Sequence, residues 1–224
     1  DGSDLGPKLA QIFQILNTPE KDRQSNLDED LAKMPYVNGG IFSKNISIVS
    51  CDVTTKLRLI KCCNFDWSAI SAAIFGSLFQ GVKNEDARRH LGAHYTSEQN
   101  ILKLIKPLFL DDLYIELDRV KYDSRLLDVF HTKLGKLKFL DPACGCGNFL
   151  VIAYRELRVL EMEVLKIKIK NRTEISEDPT RISINQFYGI EIEEFPARIA
   201  EVAMHLIDHQ MNLELGKMLG RYIR

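Results

Sequence analysis

Near the start of the chain, apolar residues recur at helical spacing. Leu9, Ile12, Phe13 and Leu16 share one face, and Thr18-Pro19 ends the run. Residues 20–35 are charged and polar, which predicts a further helix ending near Pro35. Asn38-Gly39-Gly40 is a turn signal between Tyr36-Val37 and Ile41-Phe42. Residues 43–55 alternate in character and contain few helix formers, so an extended or irregular connector is expected. Ile70, Ile74, Leu78 and Phe79 then form the stripe of an amphipathic helix, with Asp66 or Ser68 as its N-cap. Ser97 can cap a helix from Glu98, with Ile101, Leu104, Ile105 and Leu108 on one face. The charged stretch 111–136 gives no assigned element.

The pattern sharpens after that. Leu137-Lys138-Phe139-Leu140 reads as a short strand and runs into Asp141-Pro142-Ala143-Cys144-Gly145-Cys146-Gly147, too rich in glycine for a helix or strand interior. A long helix is predicted from Asn148, burying Phe149, Ile152, Ala153, Leu157, Leu160, Val164 and Ile167. Residues 171–186, polar and containing Pro179, read as a surface excursion. A second strand, Phe187-Tyr188-Gly189-Ile190, is closed by Glu191. The next helix starts near Glu194, tolerates Pro196 in its first turn, and turns Ile199, Val202, Ala203, Leu206 and Ile207 inward. Strand, glycine loop, helix, strand, acid, helix is the opening of a doubly wound α/β sheet. The predicted organisation is a helical N-terminal region, 1–90, then at 91–224 the first part of such a sheet, with the boundary near 88–96.

Composition narrows the function classes. The formal net charge of the 224 residues is −1, whereas a complete DNA-binding domain is usually clearly basic. Either the DNA-reading part lies elsewhere, or there is none. The longest apolar stretch, 69–79, spans 11 residues against the roughly 20 needed to cross a membrane. The start lacks a secretory pattern, and an odd count of five irregularly spaced cysteines suits a reducing cytoplasm. Cys62-Cys63 is expected to pack as small apolar residues. Cys144 and Cys146 lack the second pair a metal finger needs, and the His205/His209 and His90/His94 pairs read as solvated helix faces. Lys166, Lys168, Lys170 and Arg172 read as a solvated helix end.

The glycine loop carries the chemistry. A dinucleotide loop would place a third small residue where Leu150 stands, and it would not open with an acid such as Asp141. A carboxylate suits a ligand bearing an ammonium and a sulfonium, as S-adenosylmethionine does. Glu191, 50 residues after Asp141, can accept hydrogen bonds from two ribose hydroxyls. The segment Asp141-Pro142-Ala143-Cys144-Gly145-Cys146-Gly147-Asn148-Phe149 resembles the D-P-A-C-G-S-G-N-F cofactor motif of amino-methylating DNA methyltransferases, with Cys146 in place of serine. Phe187-Tyr188-Gly189-Ile190-Glu191-Ile192 resembles the family's second motif. Leu91-Gly92-Ala93-His94-Tyr95-Thr96 is similar to its G-x-x-Y-T segment, whose position before the glycine loop goes with an adenine N6 target. Tyr36-Val37-Asn38-Gly39-Gly40-Ile41-Phe42 is similar to a segment of type IIG restriction–modification enzymes and phage-defence methyltransferases.

That resemblance implies a Rossmann-like class I methyltransferase sheet, incomplete in these residues. It also implies S-adenosyl-L-methionine as cofactor and double-stranded DNA as partner, held by other parts of a longer parent. Tyr95, Thr96, Asp141, Pro142, Ala143, Cys144, Gly145, Asn148, Phe149, Glu191 and Ile192 would then bind the cofactor. None of them does the chemistry. The family's catalytic N-P-P-Y or N-P-P-F loop should be absent, because no two of the seven prolines are adjacent. An amino methyltransferase for cytosine N4 or for protein glutamine remains open, as does a non-catalytic interaction domain on the same fold.

Overall fold

The computed structural model describes residues 2–36, 42, 50–65, 74, 96–171 and 175–221. They fall into two compact units, Asp1–Ala69 and Ile70–Arg224. The expected turn at 38–40, most of the helix expected around 70–79, and the 88–96 boundary apart from Thr96 lie outside the described residues.

In the first unit, helix α1 (Leu5–Leu16) carries the predicted stripe half-buried, with Ile15 buried deepest. The single helix expected over 20–35 is instead a 3-10 turn, Glu20–Asp22, and a four-residue helix α2, Glu29–Ala32. The Arg23 guanidinium holds this segment in place by donating to Ile15 O (3.2 Å), Thr18 O (3.0 Å) and Met34 O (2.7 Å). Those carbonyls include the ones a helix end leaves open. Helix α3 (Val53–Cys63) corrects the expected connector over 43–55 at its C-terminal end. β-Branched Val53, Thr54 and Thr55 read as extended, but the Asp52 side chain accepts from Thr55 N at 2.7 Å and caps a helix. Cys62 and Cys63 are exposed, not packed as small apolar residues, because they end that helix on its solvent side.

The second unit begins with α4 (Glu98–Ile105), a π-helical turn (Lys106–Leu110) and α5 (Asp111–Val120) in direct succession. Pro107 has no N–H to give to the preceding turn, and the wider π turn absorbs that loss. Helix α6 (Ser124–Leu134) follows, its first amides bonded to the Asp123 carboxylate at 2.9 and 3.0 Å. The charged stretch 111–136 is thus two amphipathic helices, burying Leu113 and Leu117, then Leu127, Phe130 and Leu134.

Strand β1 (Phe139–Asp141) pairs parallel with β2 (Phe187–Gly189), in the register Phe139 to Phe187 and Asp141 to Gly189. The crossover between them is α7 (Asn148–Lys170), and α8 (Glu194–Leu219) packs on α7. The described part of this unit is mostly helical around a two-stranded sheet. Helix α7 is buried well beyond the expected stripe, Tyr154, Arg158 and Glu161 included. On α8 the expected Val202 is exposed, while Met204, Met211 and Leu215 join Ala203 and Ile207 in the core.

The 171–186 excursion also departs from expectation, since Pro179, Ile182 and Gln186 are buried. The cause is a buried polar cluster. Glu161 Oε1 accepts from His131 Nε2 (3.0 Å), Arg181 N (2.5 Å) and Ile182 N (3.2 Å). Arg158 donates to Tyr154 Oη (3.0 Å), Ile182 O (3.3 Å) and Asn212 Oδ1 (2.9 Å). Gln186 donates to Leu134 O (2.8 Å) and Leu137 O (3.0 Å) while its own Oε1 accepts from Ser183 N (2.8 Å). The approach to β2 is thereby tied to the approach to β1, which fixes the strand register.

Candidate functional site

The two strands deliver their carboxyl ends to one edge, and the glycine loop starts there. Their pairing continues one residue past the sheet: Ile190 N donates to Asp141 O (2.9 Å), and Cys144 N to Ile190 O (3.0 Å). The Asp141 carboxylate accepts from Ala143 N at 3.0 Å, an Asx turn that starts the bend. Gly147 N bonds Cys144 O at 2.8 Å and closes it. Two glycines are needed for their conformation. Gly145 has φ +54° and Gly147 φ +80°, and the second stands where a Cβ would meet Ala200 Cβ at 2.9 Å. A Cβ on Gly145 would meet nothing within 4 Å among the described residues.

Glu191 closes the arrangement. Its Oε2 accepts from Gly145 N and its Oε1 from Glu193 N, both at 2.9 Å. The acid that ends β2 is thus held against the glycine loop from 46 residues away in sequence. Each of its oxygens takes one amide and keeps further acceptor capacity. Burial, with the Asp141 and Glu191 charges nearby, pushes the Cys144 thiol up to about 11.

Of the expected site residues, Asp141, Cys144, Gly145, Asn148, Phe149 and Glu191 gather at this edge, half-buried or buried. Asn148, at the first turn of α7, is 8% exposed, and its Oδ1 has no partner among the described residues. Pro142 and Ala143 are exposed on the bend, and Ile192 is 93% exposed. Thr96 is half-buried just before α4. Glu98, two residues on, pairs with Arg155 of α7 at 2.7 Å, about 10 Å along that helix from Asn148. Tyr95 lies outside the described residues.

Two neighbours were not expected. A Cβ at Gly189 would fall 2.6 Å from Cys144 Sγ, so a glycine inside β2 makes room for the loop. Ala200 of α8 does the same for Gly147. Glycine in a strand is a usable sign of such an approach. Among the described residues no group of three or more His, Cys, Asp and Glu could hold a metal ion. His205 is half-buried and His209 exposed.

Residues 117–223 match the family model of the MmeI DNA-methyltransferase domain, and residues 1–42 that of the MmeI helicase spacer domain. DNA methyltransferase A of Bacillus subtilis is 39% identical over 225 residues, covering 100% of this chain and 25% of that protein. The structure of the type IIL restriction-modification enzyme MmeI in complex with DNA superposes with a TM-score of 0.91 at 53% identity. It covers 100% of this chain and 30% of its own. The chain is thus similar to segments of a DNA methyltransferase and of a restriction-modification enzyme, and residues 117–223, a little under half of it, carry the likeness to the MmeI DNA-methyltransferase domain. The chain spans about a quarter to a third of the length of these relatives.

Proposed function

We propose that the edge formed by Asp141, the glycine loop and Glu191 binds S-adenosyl-L-methionine, within a restriction–modification enzyme that methylates adenine N6 in double-stranded DNA. The observation that carries this reading is the Glu191–Gly145 contact, which joins a strand-end acid to a glycine bend at one sheet edge. The residues present suit the cofactor. Among the described residues nothing approaches the Cβ position of Gly145 within 4 Å and Asn148 Oδ1 is a buried acceptor without a donor, while the Asp141 and Glu191 carboxylates suit a ligand with two cationic centres. When bound, the cofactor supplies an activated methyl group.

In this reading Glu191 accepts the ribose hydroxyls, with Gly145 N and Glu193 N holding its carboxylate in position. Asp141, oriented by Ala143 N, faces the methionine ammonium. Ala143, Cys144 and Gly145 offer backbone groups, and Pro142, Phe149 and Ile192 offer apolar surface. Tyr95 and Thr96 cover the methionine end. These groups position the donor, and positioning itself lowers the barrier of an in-line displacement. The N-P-P loop and the DNA-reading parts belong to other segments of the longer enzyme, and 1–90 and 91–224 are its helical and cofactor-binding regions.

Calorimetry with S-adenosylmethionine tests this on the 224-residue chain and on a version extended toward the length of its relatives. Saturable binding by either, lost in Asp141→Ala, is expected. Absence of binding by both would sink the reading. The 224-residue chain alone should transfer no labelled methyl group to DNA.

A further inference from the structure

At the other end of α7, a cavity of about 280 Å³ opens between α6, α7 and the segment leading to β2. Its apolar wall is Leu165, Ile175 and Pro179, and its polar lining includes His131, Lys168, Arg181 and Thr132. The acids there are already engaged. Asp128 receives the Lys168 ammonium at 2.6 Å. Glu161, behind His131, accepts from that ring and from the amides of Arg181 and Ile182. His131 is committed too: Lys168 can only donate to its Nδ1 at 3.0 Å, so its Nε2 carries the hydrogen given to Glu161. Ser176 spends its hydroxyl hydrogen on Asp178 O.

Counting donors leaves three without an acceptor among the described residues. They are one N–H of the largely buried Lys168, and the Arg181 guanidinium and Thr132 hydroxyl, both on exposed residues at the cavity mouth. Lys168 is 12% exposed and His131 5%, so two polar side chains stand largely desolvated at the cavity wall, where charge-assisted hydrogen bonds are strong. With Asp128 cancelling Lys168, the lining keeps the uncancelled positive charge of Arg181.

We propose that this cavity is a phosphate site. The oxygens of one phosphate group accept from Arg181, Lys168 and Thr132, and an attached organic portion lies on Leu165, Ile175 and Pro179. The site is independent of the methyl-donor edge, since α7 separates the two by most of its 23 residues, roughly 30 Å. The phosphate group can belong to a small monoester or to a nucleic-acid backbone.

The test is titration of the chain with inorganic phosphate, phenyl phosphate and a short DNA duplex at constant ionic strength, read by thermal unfolding and phosphorus NMR. Arg181→Gln is the control of choice, because only the backbone N–H of Arg181 contacts Glu161. The variant should unfold at the same temperature as the parent chain without ligand. Saturable phosphate binding weakened at least about tenfold by Arg181→Gln, and partly restored by Arg181→Lys, is the expected result. Stronger binding of phenyl phosphate with no competition from the duplex assigns a free monoester. Arg181-dependent competition by the duplex assigns a backbone phosphate. No saturable binding of any of the three, or equal binding by the Gln variant, overturns the proposal. Methyl-donor binding is unaffected in either case.

Discussion

Glu161 and Glu191 are both carboxylates that accept backbone amides in the same unit, and they do opposite work. Glu161 is fully buried, and its Oε1 takes three donors while Arg158 Nε lies 3.4 Å from Oε2. Glu191 is half-buried at a sheet edge, each oxygen taking a single amide. The first is enclosed by the groups it bonds and has no route to a ligand. The second is oriented by the fold and left with acceptor capacity at a half-buried edge. Perturbing each should therefore give different readouts: stability for Glu161, affinity for Glu191.

The largest effect is expected at Glu161. Glu161→Leu strands His131, Arg158 and two backbone amides in the core, and should lower unfolding free energy in urea by about 3–5 kcal/mol. A loss under about 1 kcal/mol would mean that the cluster is a passive filler.

Next is the Cys144 thiol. With its pKa at about 11 against an ordinary 9.0, its thiolate fraction at pH 8 is about a hundredfold below that of an unperturbed thiol. Alkylation followed by peptide mass spectrometry should mark the exposed Cys62 and Cys63 well before Cys144. The folded state holds this proton more tightly than the unfolded chain. Its contribution to stability is thus complete below about 9 and is lost as pH rises toward 11.

Gly147→Ala combines a left-handed φ with a 2.9 Å approach to Ala200, and should cost about 2 kcal/mol. Gly145→Ala, with φ +54° and no described atom within 4 Å of the added Cβ, should cost about 1 kcal/mol and act mainly on ligand affinity. Equal losses at the two positions would show that close packing against α8 adds nothing.

The smallest effect on the fold is expected at Glu191. Glu191→Gln should weaken S-adenosylmethionine binding about tenfold in calorimetry, with unfolding little changed. A large stability loss would make Glu191 a second Glu161 and remove the contrast.

How legible each part was in the sequence follows from the range of its interactions. The loop 141–149 is local: acid, glycines and helix start lie within nine residues, so their order predicted the bend. Glu191 was readable as a strand-ending acid, whereas its bond to Gly145 was not, since nothing in the sequence spaces two positions 46 apart. Helices α5 and α6 were missed because charge dominates 111–136, although Leu113/Leu117 and Leu127/Phe130/Leu134 keep helical spacing within it. The burial of Ile182 and Gln186 was invisible, because it depends on Glu161 and on carbonyls before β1, all distant in the chain. Start positions were uncertain where caps decide, as Asp52 shows for α3.

The 2.6 Å between Cys144 Sγ and the Cβ that Gly189 lacks has a practical consequence for chimeras. Positions 144 and 189 are lock and key between the glycine loop and β2, so a loop carrying Cys144 fits only beside a glycine at 189. A crossover between them that brings in a larger residue at 189 would drive it into the Cys144 thiol. Recombination that takes 139–191 as one cassette preserves the match.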